Sequence, residues 1–312
     1  MTQDSPVREK LRPDELARRS ARLLGENDIV VAGDPGSGQA LVANIVHELG
    51  FEYLDPYVES PDERDGAAQA VETQLEYYRQ RLAATSERDR DGVAGASGAA
   101  GAAGATGGPD AKRFIKTHFY PEVFADSAVN SAILVVRDPR DTIYSSYKWF
   151  SSFGDSWIPD AADMIGKLTY PDFLDRVRLG DGEPSIPGWA RFYRSWLEAA
   201  PEFSKFAVVR FEDLKSHPVG AITAMLAALG LTVTPEVVAQ AADRSSFKAM
   251  RAREDAASAG EGESTKNARI MRRGQVGEWR EWIGEGDLAE RFAHPALTAT
   301  AARFGYEATP TQ

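Results

Sequence analysis

The segment AILVVRDPRDTIYSSYKWF, residues 132–150, restricts the possible folds more than any other stretch of the sequence. Its apolar run from Ile133 to Val136 is typical of a buried strand, which Arg137 and the following Asp-Pro pair bring to an end, and residues 140–150 can continue as a helix. The turn combines a forked guanidinium, the Ser145 hydroxyl and the unpaired N–H groups of a helix start, which suit a bound anion. Taken alone, it also fits an ordinary strand-to-helix corner with a surface arginine.

The same order of strand, turn and helix recurs along the chain. Further strands are predicted at 28–32, 113–118 and 206–210, and further helices at 39–49, 189–197, 218–229 and 235–243. This alternation predicts the α/β class, with a P-loop-like, mostly parallel sheet and helices on both of its faces. Ligands of such sheets bind beyond the carboxyl ends of the strands, and each motif described below lies at such an end or could fold over it.

Composition narrows the function classes. The net charge of −11 argues against a general nucleic-acid or anionic-membrane binder, because the long-range field of such a protein is positive. The absence of cysteine excludes disulfides, thiolate nucleophiles and cysteine zinc sites, and the four histidines are too scattered to suggest a metal site, so no metal is expected. A polar beginning and the lack of an eighteen-residue apolar run predict a cytoplasmic protein without a membrane partner.

A single domain over residues 1–312 is expected, because a chain of this length can bury one large core. Residues 92–108 contain seven glycines and seven alanines, which predicts a flexible insertion at about 90–111. A second flexible loop is expected at about 252–268, where apolar residues are few. Three further helices are predicted, at 14–24, 63–88 and 287–304.

Two more stretches carry groups that suit phosphate chemistry. The loop GDPGSG at 33–38 separates a predicted strand from a predicted helix, so that its backbone N–H groups could close around an oxyanion. Gln39 and Ala40 stand where the ATPase loop has its lysine and its magnesium-binding hydroxyl, which disfavours a Mg-ATP hydrolase or kinase. Lys116 and His118 lie two residues apart, so a strand would present an ammonium and an imidazole on one face. An isolated histidine is, however, often only structural or exposed.

A basic cluster follows near the end of the chain, in RIMRRGQVGEW at 269–279. Its two adjacent arginines stand beside Gly274 and could fold over a bound anion, whereas most such clusters are simply solvated. The many aromatic residues around 149–157 and 189–197 should mainly form core, and one or two of them could line a pocket for a second substrate.

Together these motifs resemble those of the cytosolic-type sulfotransferases, whose donor is 3′-phosphoadenosine 5′-phosphosulfate (PAPS) and whose product is 3′-phosphoadenosine 5′-phosphate (PAP). The similar segments are GDPGSGQAL at 33–41, KTH at 116–118, VRDPRDTIYSSY at 136–147, FEDL at 211–214, SFKAM at 246–250, and RRG with GEW at 272–279. The resemblance covers roughly residues 28–283, and the high content of Ala, Gly, Arg and Asp suggests a bacterial member.

The resemblance implies the sulfotransferase fold and sulfuryl transfer from PAPS to a hydroxyl of a small-molecule acceptor, without a metal. It makes His118 the general base and lets Lys116 stabilise the transferring group. The donor would be held at its 3′-phosphate by Arg137, Ser145, Arg272, Arg273 and Gly274, at its 5′-phosphosulfate by Pro35, Gly36, Ser37, Gly38, Gln39 and Ala40, and at its adenine by Phe211 and Phe247. A dimer motif of the family has no clear match, so the oligomeric state stays open.

The glycine loop departs from the family pattern Y-P-K-S-G-T-T-W. Gly36 takes the place of the lysine, which in the family stabilises the leaving 5′-phosphate, and Leu41 takes the place of the tryptophan. Losing that charge from a dry site could cost about a hundredfold in rate. An alternative interpretation is therefore a nucleotide-binding protein of the same fold that is catalytically weak or inactive.

Overall fold

The computed structural model describes residues 13–54, 112–153, 169–175, 183–257 and 272–307. Its sheet has five parallel strands in the spatial order β2-β3-β1-β4-β5. They are β1 Asp28–Gly33, β2 Glu52–Leu54, β3 Arg113–Thr117, β4 Ser131–Val136 and β5 Lys205–Arg210. Parallel pairing needs crossover connections, and the described helices supply several of them.

Helices follow most of the strands. They are α1 Pro13–Ala21, α2 Gln39–Glu48, α3 Pro139–Phe153, α4 Tyr170–Leu174, α5 Ser185–Ala199, α6 Phe211–Ser216, α7 Pro218–Ala228, α8 Pro235–Arg244, α9 Phe247–Ala257, α10 Leu288–Phe292 and α11 Pro295–Ala302. Short 3₁₀ helices occupy Pro121–Phe124, Ala200–Glu202 and Glu278–Glu281.

The two central strands, β1 and β4, are buried at every position, and their side chains alternate between two hydrophobic clusters. Val30 and Ala32 join one cluster, with side chains from α1, α3, α5, α10 and α11. Ile29 and Val31 join the other, with side chains from α2, α6, α7 and α8. The sheet is therefore covered on both faces, and the predicted α/β fold is confirmed.

An ion pair ties the amino ends of β1 and β3 together. The Arg113 side chain donates to both carboxylate oxygens of Asp28 at 2.7 and 2.9 Å, and Asp28 is fully buried. These two residues are also register partners, so the pairing aligns Ala32 with Thr117 at the other end of the strands. That alignment brings Gly33 beside His118.

Two predicted segments differ from the structure. The final helix is divided into α10 and α11, because Pro295 lacks the N–H group that a continuous helix would need and instead occupies the first turn of α11. Helix α9 continues to Ala257, so the loop predicted at about 252–268 begins within a helix, and its remainder lies outside the described residues. The predicted helix at 63–88 and the insertion at about 90–111 also lie outside them. None of the described helices is both long and apolar enough to span a membrane.

Candidate active site

Four strands end at one edge of the sheet, and each delivers a predicted motif there. β1 leads into the glycine loop, β3 into His118, β4 into Arg137, and β5 directly into helix α6, which starts at Phe211. Parallel strands bring their carboxyl ends to the same edge, so motifs that are far apart in sequence become neighbours.

The glycine loop adopts a backbone that requires glycine at two positions. Gly36 and Gly38 have φ angles of 87° and 105°, which L side chains rarely adopt. A Cβ atom on Gly38 would lie 2.5 Å from Cδ2 of Phe211, and one on Gly36 would lie 2.5 Å from the Thr142 carbonyl oxygen in α3. The Ser146 hydroxyl donates to the Pro35 carbonyl, so α3 also holds the loop through a hydrogen bond.

The residues after Gly36 have separate roles. The Ser37 side chain is fully buried, and its hydroxyl has no hydrogen-bond partner within the part of the chain that the structure describes. The Gln39 amide donates to the carbonyl oxygens of Val31 and Thr117 at 2.8 and 3.0 Å, so its side chain joins β1 to β3. Ala40 is half-buried in the first turn of α2, where backbone N–H groups are the available donors.

This geometry makes position 36 intolerant of a side chain, and the Gly36→Lys variant is expected to lose activity and stability. The resemblance alone suggests a higher rate for this variant, since a lysine would restore the charge that the family has there. The left-handed backbone and the contact with Thr142 each oppose a Cβ atom, and together they should cost about 2–4 kcal/mol.

Gly36→Ala and two control glycines separate these causes in urea unfolding. Gly286 has a φ of 56° but open space around its Cβ position, whereas Gly25 has open space and no positive φ. Alanine at Gly286 should show the backbone strain alone, and alanine at Gly25 neither effect. A Gly36→Ala variant as stable as the Gly25→Ala variant would contradict the close packing of the loop on α3.

His118 is bound to the first residue of the loop. Its Nδ1 lies 2.7 Å from the Gly33 carbonyl oxygen, which can only accept a hydrogen bond. Nδ1 must therefore carry the proton, and in the neutral ring the lone pair falls on Nε2. The backbone thus selects the tautomer whose Nε2 can take a proton.

Lys116 lies on the face of the sheet that helix α2 covers. It is the register partner of Val31, and Phe114, two residues earlier, packs in the hydrophobic cluster of helix α2. Alternate residues of a strand share a face, so the half-buried Lys116 belongs to this same face.

Arg137 joins the glycine loop to the basic segment, which is the described part of the basic cluster, residues 272–279. Its Nη1 donates to the Gly36 carbonyl at 3.2 Å and its Nη2 donates to the Gln275 carbonyl at 2.9 Å. The guanidinium carbon lies 4.6 Å from the ring centroid of Phe211, while the buried Nε has no partner among the described residues. Ser145 stands one residue before Ser146, and its Cβ would lie 3.1 Å from a Cβ on Gly36.

Arg272 and Arg273 are both bound to acidic side chains. Both guanidinium Nη groups of Arg272 donate to the Glu278 carboxylate, one of them at 2.6 Å. Arg273 donates to Glu278 at 3.1 Å and to Glu281 at 2.7 Å. Burial raises the pKa of Glu278, but the hydrogen bonds and charges of the two arginines outweigh it, so the net pKa lies below the ordinary value.

Gly274 packs against the ring of Phe247, at the start of helix α9. A Cβ atom on Gly274 would lie 2.3 Å from Cδ2 of that ring, and the residue has a φ of 59°. The predicted adenine-binding residue Phe247 is thus in direct contact with the predicted phosphate-binding segment.

Asp141, which the sequence analysis did not select, holds the basic segment against α3. Its fully buried carboxylate accepts the N–H groups of Gly277 and Trp279 at 2.7 and 2.8 Å and lies 3.6 Å from Nη2 of Arg137. Burial raises the pKa of Asp141, partly opposed by the Arg137 charge and by these two N–H groups. Arg140 also holds the basic segment against α3, because its guanidinium carbon lies 3.5 Å from the centroid of the Trp279 ring.

We therefore expect the Asp141→Ala variant to lose about 3 kcal/mol of unfolding free energy, since two buried N–H groups and a guanidinium lose their acceptor. Urea unfolding measures the loss. Asp213→Ala is the matched control, because Asp213 is half-exposed and only 3.7 Å from Arg210, and it should cost below about 1 kcal/mol. Equal losses in the two variants would contradict a special role for Asp141.

Two further residues that support the site were treated in the sequence as core or as part of a motif. Tyr193 of α5 is fully buried, donates to the Val135 carbonyl at 2.9 Å and accepts the Asp34 N–H at 3.3 Å. Glu212 accepts the Asp138 N–H at 3.0 Å and the Tyr306 hydroxyl at 2.5 Å. The hydrogen-bond partners of Tyr193 and Glu212 lie far away in sequence, so the sequence could not predict these contacts. For Glu212, its place directly after Phe211 in the FEDL segment was the one available indication of a role in the site.

Comparisons with known proteins identify the family of this chain and its fold. The model of the sulfotransferase domain matches residues 26–295, so the chain belongs to the sulfotransferase family, and its relatives are of the cytosolic type. Sulfotransferase 2A1 of Mus musculus is 27% identical over 176 residues, which are 55% of this chain and 58% of that protein. Sulfotransferase 1A1 of Rattus norvegicus is 26% identical over 212 residues, 63% of this chain and 66% of that protein. The chain thus spans less than two thirds of the length of these curated relatives.

Solved structures of the same fold extend over nearly the whole chain. Mouse sulfotransferase SULT7A1, complexed with PAP, is superimposed with a TM-score of 0.56 at 18% identity and covers 92% of this chain and 90% of its own. Retinol dehydratase, in complex with androsterone and the inactive cofactor PAP, gives a TM-score of 0.57 at 16% identity. The match covers 96% of this chain and 86% of the retinol dehydratase chain. The predicted sulfotransferase fold is therefore confirmed.

Proposed function

We propose that this protein transfers a sulfuryl group from PAPS to a hydroxyl of a small-molecule acceptor, with His118 as general base. The observation that carries the proposal is the 2.7 Å contact between His118 Nδ1 and the carbonyl of Gly33, the first residue of the glycine loop. This contact supports the proposal, because the tautomer that it favours has its lone pair on Nε2 and lies beside a loop suited to an oxyanion. The PAP complexes of SULT7A1 and retinol dehydratase support the same donor class.

The described residues suit a doubly phosphorylated nucleotide. Arg137 Nε and the Ser37 hydroxyl are buried polar groups without a partner among the described residues, and each could donate to a phosphate oxygen. Arg137, Ser145, Arg272, Arg273 and Gly274 are assigned to the 3′-phosphate. The loop from Pro35 to Ala40 is assigned to the 5′-phosphosulfate mainly through backbone N–H groups, and Phe211 and Phe247 to the adenine.

In the proposed reaction the acceptor oxygen forms a bond to sulfur while the bond from sulfur to the 5′-phosphate oxygen breaks. The acceptor proton moves to Nε2 of His118, and PAP carries the electron pair of the broken bond. Lys116 stabilises negative charge at the transferring group. Because no enzyme-bound covalent intermediate forms, positioning and electrostatics supply most of the rate.

The acceptor is proposed to be a small hydroxyl compound, and a bacterial secondary metabolite remains our prediction. Retinol dehydratase has been captured with androsterone and with retinol, both small molecules, which supports this class. We also propose a cytoplasmic location and no nucleic-acid, membrane or metal requirement.

A second candidate function is nucleotide binding without efficient catalysis, which the glycine at position 36 favours. Sulfation of a panel of alcohols and phenols with PAPS, together with calorimetry of PAP and ATP, separates the candidates. We expect sulfated product that depends on PAPS and tighter binding of PAP than of ATP. PAP binding without product on any acceptor would favour the second candidate. Much tighter binding of ATP than of PAP would instead favour the kinase that Gln39 and Ala40 disfavour.

A further inference from the structure

Helix α6 carries a lysine that neither the motif comparison nor the proposed mechanism uses. Phe211 and Lys215 are four residues apart on this helix, so their side chains lie on the same face. The Phe211 ring already contacts Gly38 of the glycine loop and the Arg137 guanidinium. Lys215 therefore extends from the helix face that borders the proposed nucleotide site.

The Lys215 ammonium meets the other aromatic residue of that site. Its Nζ lies 5.5 Å from the ring centroid of Phe247, whose edge packs on Gly274. Lys215 is half-buried, and it forms no ion pair with any carboxylate in the described part of the chain. Burial, and next the positive charge of Arg137, lower the pKa of Lys215, as expected for a cation that lacks a counter-charge.

The charges of the neighbouring residues show what this lysine contributes. The three arginines proposed to hold the 3′-phosphate each contact a carboxylate, and the carboxylates also number three. Arg137 contacts Asp141, Arg272 contacts Glu278, and Arg273 contacts both Glu278 and Glu281. Without Lys215 this group of side chains is electrically neutral. A phosphate dianion binds best where positive charge is in excess, and Lys215 supplies it.

We propose that Lys215 binds the 3′-phosphate of the donor and helps the protein select a 3′-phosphorylated nucleotide over one with a free 3′-hydroxyl. This inference rests on the proposed function, because it assigns a specificity-determining residue to the same site. It differs from a structural role in which the lysine stem merely covers the Phe247 ring.

Calorimetry of PAP and of adenosine 5′-phosphate (AMP), at fixed salt concentration, tests the inference with three variants. Lys215→Met keeps a long apolar stem over Phe247 but removes the charge, whereas Lys215→Arg keeps the charge. Lys248→Gln is the matched control, since Lys248 is exposed and adjacent to Phe247 in sequence. We expect Lys215→Met to weaken PAP binding about tenfold or more while AMP binding changes less than about threefold. Lys215→Arg and Lys248→Gln should stay within about threefold of wild type for both ligands.

Three outcomes would overturn the inference, and they are distinguishable from one another. Unchanged PAP affinity in Lys215→Met would mean that the stem only covers the ring. An equal loss for PAP and AMP would place Lys215 at the adenine or the 5′-phosphate. If wild-type protein itself does not prefer PAP over AMP, the proposed function fails and this inference fails with it.

Discussion

Replacement of His118 by alanine is expected to lower the turnover number about 10²- to 10⁴-fold while PAP affinity changes less than about threefold. The imidazole is the proposed proton acceptor, and its removal takes away the base without touching the proposed phosphate ligands. The loop should keep its place, because Ser146 still binds Pro35 and Gln39 still joins β1 to β3. Initial rates at saturating PAPS and calorimetry of PAP measure the two effects.

Two further variants separate proton transfer from loop positioning. In His118→Asn the amide nitrogen can donate to the Gly33 carbonyl as Nδ1 does, but nothing replaces Nε2. This variant should be as slow as His118→Ala. His217→Ala, which changes an exposed histidine, should leave the rate unaltered. An active His118→Asn variant would mean that the ring positions the loop and does not accept the proton.

Replacement of Arg137 by alanine should weaken PAP binding about a hundredfold, the largest binding effect that we expect from one side chain. Arg137 is the residue through which the glycine loop, the Phe211 ring and the basic segment meet. Its Nε has no hydrogen-bond partner among the residues that the structure describes and could donate to an oxyanion. Calorimetry with PAP and with AMP shows whether the loss concerns the 3′-phosphate, because AMP binding should fall by less than about tenfold.

Arg210→Ala provides the control for this variant. Arg210 also ends a strand at this edge and also stacks on an aromatic ring, but that ring is Tyr306. PAP binding should stay within about threefold of wild type. If Arg137→Ala binds PAP normally and His118→Ala does not, the proposed roles of the two residues are reversed.

The positions of the motifs could be predicted from the sequence because they depend on local patterns. The strands are short apolar runs, and a parallel sheet brings their carboxyl ends to one edge whatever the lengths of the connections. At this edge Arg137 contacts the Phe211 ring and the Gly36 carbonyl, and His118 contacts the Gly33 carbonyl, although no sequence spacing suggested these distances.

The partners of the charged residues could not be predicted in the same way. Glu278 binds both Arg272 and Arg273. Asp141 binds the backbone N–H groups of Gly277 and Trp279, more than 130 positions further along the chain. Such pairings depend on how a distant loop folds back, which no periodicity records. Gln39 illustrates the same limit, because nothing in the sequence indicated that its side chain would donate to the carbonyl oxygens of Val31 and Thr117.

The close approach of Gly36 to helix α3 also bears on how this loop could evolve. A chain with glycine at this position and α3 against it cannot regain the family's lysine by a single substitution, because the new side chain would meet the Thr142 carbonyl first. Helix α3 would have to move away from the loop before a lysine could be accommodated at position 36. Natural variation at position 36 should therefore be coupled to variation in the first turns of α3, and the lysine-free loop is held in place by its neighbours.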